Sequence, residues 1–491
     1  MTHAAVIGAG FSGLSAACFL AREGIKVTVL EKNSIAGGRA RKFSAAGFTF
    51  DMGPSWYWMP DVFDRFFTQF GKSSSDYYSL QRLNPSYRVV FGKDDFMDLP
   101  SDLEGLFSLF DRIEPGSAKV LKLFLEEAKR KYIIGIQDLV YQPGLAFSEL
   151  LKPVVLKNSW SLHLIESLSS YITKRFSSPR LVQLLQFPVL FLGATPEKAP
   201  ALYTLMNYAD MVLGTWYPNN GMFTVVEALV TLAKSLGVTF EYNSNVDSLT
   251  VRSGVITGCM VNGKPRSFDY VVASADYQHV EQELLPSALR RYSDAYWNKR
   301  VMAPSSLIFY LGVNKQIKNL LHHTLFFDED FKKHAAEIYD NPQWPTAPQF
   351  YVSCTSKSDA TVAPPGNENI LILIPVATGL EDNETIRAKY FDQVIDRLEN
   401  LTGESIRPHI VFKRSYAHKD FISDYNAYKG NAYGLANTLR QTANLRPSIV
   451  SKKVKNLFYT GHLTVPGPGV PPALISGEVV AKELIRRHKK K

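Results

Sequence analysis

Apolar and polar positions alternate with two different periods along this chain, and its first thirty residues show both. Residues 4–7 (Ala-Ala-Val-Ile) form a short apolar run that predicts a buried strand, and Gly8, Gly10 and Gly13 follow at once. Over 14–23 (LSAACFLARE) small and apolar residues recur at helical spacing. Gly24 stops that pattern, and Lys26–Leu30 (KVTVL) predicts the next strand. The unit is strand, helix, strand, and it finishes at Glu31.

Further along, residues 100–235 keep the helical period, with breaks expected at Pro115, Pro143, Pro153 and Pro179. The part 132–218 is rich in Leu, Phe, Tyr and Trp, with Lys152, Lys157, Lys174, Arg175 and Arg180 interleaved. The two-residue period returns over 237–275, and again in SSLIFYLGV, QFYVSC and NILILIPVA between 300 and 415. The helix ETIRAKYFDQVIDRLENLT lies beyond those strands. The end reads as a strand (NLFYTG), a Pro/Gly loop and a helix starting near Ala473. This order predicts an α/β protein with a discontinuous Rossmann-type nucleotide-binding domain, assembled from 1–80, 219–290 and 441–491. A mixed-sheet substrate domain would come from 81–131 and 291–440, and a helical subdomain from 132–218, whose basic and aromatic composition is compatible with docking on a membrane surface, with an ordinary helical subdomain as the alternative.

A chain of 491 residues exceeds one compact core, and 45% hydrophobic with 21% charged residues is a folded, not a disordered, composition. The net charge of +9 is scattered except for the block Arg486, Arg487, His488, Lys489, Lys490, Lys491. Such a block can attract an anionic membrane surface. No recognition fold or basic-aromatic repeat accompanies it, so nucleic acid is not an expected partner. Cys18, Cys259 and Cys354 are widely spaced, which suits a reducing cytoplasm and gives neither a disulfide framework nor a metal motif. The start lacks the pattern of an export signal, and no apolar run is long enough to span a bilayer. Any membrane association is therefore expected to be peripheral, at the inner face of the plasma membrane.

The candidate chemistry begins with Gly8-Ala9-Gly10-Phe11-Ser12-Gly13, a G-x-G-x-x-G motif set between strand and helix. The first glycine makes the turn, the second lets backbone approach a pyrophosphate, and the third allows close helix packing. The helix start offers free N–H groups to the phosphates. Glu31, with Lys32 beside it, stands at the end of the second strand, where a carboxylate can accept from ribose hydroxyls. Gly37-Gly38-Arg39-Ala40 and Asp51-Met52-Gly53-Pro54-Ser55 follow, and Arg39 suits phosphate with its forked donors.

Together these segments resemble the flavoprotein superfamily of amine oxidases and carotenoid desaturases, and the resemblance implies FAD as cofactor. It assigns Gly38, Arg39, Gly53, Pro54 and Ser55 to the pyrophosphate and flavin, and Val246 to the neighbourhood of the adenine. Asp276 ends the segment 270–276, which looks like the superfamily's second FAD strand. Gly461 and His462 would lie against FAD, and the loop 466–472 would pass beside the isoalloxazine, with Gly469, Val470 and Pro471 at a helix start. That start would favour negative charge on reduced flavin.

GFTFDMGPSWYWMP and FISDYNAYKGNAYGL resemble, more narrowly, the bacterial phytoene desaturases. GTWYPNNGM departs from the family's Trp-x-Pro-x-Gly-Gly by placing Asn220 where a glycine is expected, and asparagine tolerates positive φ. The resemblance implies a long polyene substrate, 15-cis-phytoene on its way to lycopene, desaturated by hydride transfer to flavin. Such a hydrocarbon needs an apolar tunnel. The lining candidates are Trp56, Tyr57, Trp58, Phe187, Phe191, Trp216 and Tyr217, for each of which plain core packing is the alternative. Glu149, three residues before Lys152 in an apolar stretch, is the candidate acid or base, against a solvent-facing helical pair. Quinone or oxygen would reoxidise the flavin. The alternatives are a later carotenoid desaturase such as a 1-hydroxycarotenoid 3,4-desaturase, an amine-oxidising flavoenzyme, and a non-enzymatic prenyl-binding escort protein.

Overall fold

The computed structural model describes residues 1–146, 149 and 166–490. The opening apolar run becomes the strand His3–Ile7, the middle of a five-stranded sheet. Its order is Leu457–Tyr459, Tyr270–Ala273, His3–Ile7, Lys26–Leu30, Thr239–Glu241, and every pairing is parallel. Val6 stands opposite Val272 on one side and Val29 on the other. These strands come from three widely separated stretches, as a discontinuous domain requires. The first helix, Phe11–Arg22, starts earlier than the apolar spacing indicates. Gly10, in extended backbone, caps it and accepts the Leu14 N–H at 2.9 Å. The last helix, Val470–His488, likewise starts before Ala473, because Pro471 and Pro472 fit a first turn whose N–H groups have no partner to lose. The two helices lie together, with the Ser15 hydroxyl donating to the Leu474 carbonyl at 2.7 Å.

The second sheet has seven strands, ordered Ile410–Tyr416, Ser305–Val313, Glu368–Val376, Phe350–Ser353, His323–Phe326, Tyr87–Gly92, Asp95–Leu99. Only the pairing of His323–Phe326 with Tyr87–Gly92 is parallel. The long strands Ser305–Val313 and Glu368–Val376 pair over their whole length and are almost wholly buried, because both sheet faces are covered. Leu307, Phe309 and Leu311 meet Tyr390, Phe391, Val394 and Leu398 of the helix Glu384–Thr402. Ile308 and Tyr310, on the opposite face, join the core shared with the five-stranded sheet. Strand alternation therefore hands every second residue to the space between the sheets.

The helical part contains Ser117–Tyr132, Leu168–Thr173, Pro179–Gln186 and Leu205–Met211. Pro179 falls at the break between Leu168–Thr173 and Pro179–Gln186, and it opens the second helix at the position where its missing N–H is harmless. Trp216–Pro218 leaves the helical part as a strand paired with Leu80–Arg82. Asn220 takes φ 69°, the left-handed conformation its side chain tolerates. Among the described residues no helix is long and apolar enough to cross a membrane.

Candidate functional site

A cavity of about 370 Å³ lies between the two sheets. Gly8, Gly10, Phe11, Ser12, Glu31 and Lys32 line its nucleotide end, together with Val246 and Asp276. Gly38, Arg39, Gly53, Pro54, Ser55, Gly461, His462, Gly469, Val470 and Pro471 also belong to its wall. The seven-stranded sheet contributes Ser306, Ile308, Tyr351 and Leu373, and Trp56, Trp58, Met206 and Tyr433 complete the apolar side. Gly13 is not on the wall; it sits where helix meets strand, and a Cβ there would fall 2.1 Å from the Gly8 carbonyl oxygen.

Glu31 is buried, and its carboxylate is oriented by its surroundings: it accepts from Ala9 N at 2.8 Å and from Asn33 N and Nδ2 at 2.9 Å. Lys32 is turned to the Ser423 carbonyl at 2.7 Å and to Asn426 Oδ1 at 3.2 Å. That brings the helix His418–Tyr425 against the strand-to-helix loop. Arg41 forms an ion pair with Asp424, and the Tyr425 ring lies near both Arg39 and Arg41, 5.2 and 5.1 Å from their guanidinium carbons.

Asn431 is the hub of the polar wall. Its Oδ1 receives His462 Nε2 at 3.2 Å and the Arg39 guanidinium at 3.4 Å, and its Nδ2 donates to the Tyr428 carbonyl at 2.8 Å and to Asp276 at 3.3 Å. Burial pushes the Asp276 carboxyl up, against the pull of Arg39. Burial, with Arg39 and Arg446 nearby, holds His462 well below the usual histidine range, so its ring is neutral. Arg446 is itself buried with no carboxylate partner among the described residues and donates to the carbonyls of Leu435, Gln441, His462 and Thr464, fixing the loop that carries Gly461. Arg39 Nε is buried with no partner among the described residues. A glycine-lined cleft ending on oriented carboxylate oxygens, with a guanidinium donor to spare, fits an extended dinucleotide.

On the apolar side the segment Trp56-Tyr57-Trp58 alternates. Trp56 and Trp58 face the cavity, while Tyr57 points the other way and bonds Tyr78 hydroxyl to hydroxyl at 2.8 Å. The expectation for Tyr57 is thus corrected by the period of extended backbone. Trp216 donates its indole to the Leu213 carbonyl, and Tyr217 its hydroxyl to Asp359, so both pack away from the cavity. Phe187 lines a second, smaller chamber of about 60 Å³ with Phe327, Phe331, Ile338 and Phe350. Tyr351, Leu373 and Tyr433 form the wall common to both spaces. The Phe191 side chain lies outside the described residues.

Glu149 does not reach either space. Its carboxylate folds onto its own loop and accepts the N–H groups of Gly144, Leu145 and Ala146 at 2.8, 2.9 and 3.1 Å. Lys152 lies outside the described residues. The C-terminal basic block is also partly spent within the fold, with Arg486 and Arg487 paired to Glu483 and Lys489 to Glu23. Sequence reading missed Asn431, Tyr425, Asp424, Ser306, Tyr351 and Tyr433. The segment FISDYNAYKGNAYGL, which carries the family resemblance, held the signal for Asp424, Tyr425, Asn431 and Tyr433.

Several known proteins are similar to this chain. The sequence profile described as flavin containing amine oxidoreductase matches residues 11–485. A carotenoid 3,4-desaturase of Haloarcula japonica is 42% identical over 481 residues, covering 98% of this chain and 97% of its own. A 4,4'-diapophytoene desaturase (4,4'-diaponeurosporene-forming) of Staphylococcus haemolyticus is 32% identical over 494 residues, covering 98% of each. Among solved structures, an oxidoreductase from Methanosarcina mazei gives a TM-score of 0.65 at 16% identity, with 98% of this chain and 100% of that one covered. Wild-type putrescine oxidase bound to putrescine gives 0.64 at 14% identity, with 99% of each covered. At these identities the structural likeness is one of fold.

Proposed function

Because this chain belongs to the flavin containing amine oxidoreductase family, and within it to the carotenoid desaturases, we propose that it introduces a double bond near the end of a long, already conjugated carotenoid. It is an FAD-dependent oxidoreductase of carotenoid desaturation. The position of the new bond rests on one observation, the 42% identity to a carotenoid 3,4-desaturase along nearly the whole chain.

The flavin, when bound, supplies a two-electron acceptor for a hydride. This chain's residues do the rest. Gly10, Glu31 and Arg39 would hold the dinucleotide, and the N-terminus of Val470–His488, on the same cavity wall, would favour negative charge on a reduced flavin. Trp56, Trp58, Ile308, Leu373 and Tyr433 supply an apolar wall that excludes water and orients a hydrocarbon without polar handles. The smaller chamber behind Tyr351 and Leu373 takes the chain end that extends past the reacting carbons. A polyene dissolves in lipid, and the exposed Leu123 on the helix Ser117–Tyr132, within a turn of the exposed Lys119 and Lys122, suits contact with a membrane surface.

A second reading, phytoene as substrate, is favoured by the 32% relative and by the tryptophan-rich segment 55–60. Pigment extracts separate the two. Expressed in cells that accumulate lycopene or its hydroxylated derivatives, the chain should shift their absorption to longer wavelength, while phytoene-accumulating cells stay colourless. Coloured product from phytoene alone would reverse that order and establish the second reading.

A further inference from the structure

Desaturation removes two hydrogens, and the site must dispose of both. One carbon loses a hydride to the flavin; its neighbour loses a proton, and the electron pair left behind becomes the new π bond. The carboxylates on the cavity wall, Glu31, Asp276 and Asp424, are engaged with Ala9 and Asn33, with Asn431, and with Arg41 respectively. None belongs to the apolar side, where the lining residues among those described carry hydroxyls as their only titratable or hydrogen-bonding oxygens.

Tyr351 is placed differently from the other hydroxyls. It stands on the wall common to both spaces, Ser55 Oγ lies 2.9 Å from its hydroxyl, and Nδ1 of His323 lies 2.6 Å away. His323 comes from the neighbouring strand, paired with Ser353, and is completely buried. Its ring lies flat on Trp56, centroids 4.1 Å apart and planes 9° from parallel. We propose that Tyr351 and His323 together form the proton acceptor for desaturation, the Tyr351 oxygen taking the substrate proton as its own hydrogen passes to His323 Nδ1. The proposal rests on the reading of the chain as a carotenoid desaturase.

The balance closes within the pair. The substrate loses a hydride, which a bound flavin would accept, and a proton; Tyr351 ends as the phenol it began as, and His323 carries the added proton. Burial and the neighbouring His322 keep His323 neutral at rest, so Nδ1 has a lone pair to offer. A weak base is sufficient, because loss of hydride makes the adjacent C–H strongly acidic. The Trp56 face beneath the ring is attracted to the imidazolium more than to the neutral imidazole, so it helps most when charge develops.

With Tyr351 donating to Nδ1, the hydrogen of the neutral ring sits on Nε2, which is buried without a partner among the described residues. The His322 ring packs at a steep angle against the His323 ring, centroids 4.4 Å apart, and His322 Nδ1 is 3.0 Å from Ser358 Oγ on a partly exposed loop. In this scheme Tyr351 meets the substrate, while His323 acts through Tyr351.

The test uses the FAD-loaded protein with Tyr351→Phe and His323→Gln. FAD content and carotenoid binding, the latter by quenching of tryptophan fluorescence, should match the wild type. Anaerobic bleaching of the flavin by carotenoid should slow by about 100-fold or more, the range expected for lost acid–base assistance. Independently of turnover, ¹⁵N spectra of the wild-type imidazoles should show His323 neutral, protonated at Nε2 and hydrogen-bonded at Nδ1. Tyr351→Phe protein that binds both partners and still bleaches near the wild-type rate overturns the proposal alone, as does a His323 protonated at Nδ1. A wild-type flavin that no carotenoid bleaches overturns the substrate reading and the proposal with it. Should either variant fail to fold, the wild-type spectra still decide.

Discussion

The carboxylate of Asp51, at the end of the strand Phe48–Asp51, accepts the backbone N–H of Met222 at 2.8 Å from a segment far away in sequence. Its second oxygen takes the N–H of Phe223 at 3.0 Å, so one side chain satisfies two free donors at the start of the helix Phe223–Ser235. The residues just after Asp51, Met52 to Ser55, are cavity wall. Asp51→Ala should therefore cost about 1–2 kcal/mol of stability, as a lost cap does. It should also loosen the wall. The measurement is a melting curve with and without added FAD: a lower Tm in both, and faster release of flavin on heating. An unchanged Tm would mean that the helix start is satisfied by other groups.

Two glycines of the same motif are held for different reasons, and alanine separates them. A Cβ on Gly13 would stand 2.1 Å from the Gly8 carbonyl oxygen, whereas one on Gly10 meets nothing within 4 Å in the folded chain. Gly13→Ala should disrupt the fold itself, seen as loss of soluble protein or a large drop in Tm. Gly10→Ala should fold normally, with a Cβ occupying the place the pyrophosphate needs, and weaken FAD binding by about tenfold or more, 1.4 kcal/mol per factor of ten. Titration of the apoprotein with FAD reads this directly. Tight binding by Gly10→Ala would place the pyrophosphate elsewhere.

Asp210 sits behind the tryptophans of the cavity, wholly buried, accepting from the Tyr87 hydroxyl at 2.6 Å and from Thr215 at 3.3 Å. Burial raises its carboxyl to about 7 from a usual 3.8. The folded protein then keeps a proton that the unfolded chain releases, so stability from this group is full below about pH 4 and is lost as pH rises from there to about 7. The loss is on the order of 4 kcal/mol over that interval, at 1.36 kcal/mol per pH unit. Asp210→Asn has no charge to bury. Its Tm should change less than the wild type's from about pH 5 to about pH 8, the difference between the two moving in the variant's favour as pH rises. Parallel Tm profiles would show that Asp210 is ionised throughout.

Much of this architecture is legible in the sequence because it depends on local period. The strand Lys26–Leu30 and the helix Glu384–Thr402 carry their own signals, and the apolar runs of the seven-stranded sheet are unmistakable. The glycine motif is legible for the same reason: a turn and a helix start are local events. What escaped is what tertiary packing decides. Asn431 acquires its four partners from Arg39, His462, Tyr428 and Asp276 only after four chain segments meet. Glu149 looked chemical because a carboxylate in an apolar stretch is rare, and its loop turned out to need that carboxylate as a cap. His323 and Tyr351 are ordinary strand residues by period, and only the sheet pairing brings them together.

The same limit applies to the three aromatic residues at 56–58, and here two small substitutions distinguish wall from core. Tyr57 turns away from the cavity, stacks on Phe63 at 4.5 Å and shares a hydroxyl bond with Tyr78. Tyr57→Phe should cost about 1 kcal/mol for that buried bond and leave substrate handling intact. Trp58 lines the cavity and donates its indole N–H to Thr215 at 2.9 Å. Trp58→Phe keeps an apolar ring but withdraws part of the wall and leaves Thr215 short of a donor. Its signature should be a raised KM for the carotenoid, several-fold if an exposed contact of 1 kcal/mol or so is lost. Steady-state kinetics beside melting curves read both quantities on each protein. A KM effect from Tyr57→Phe, with none from Trp58→Phe, would mean that the extended segment presents its other face to the substrate.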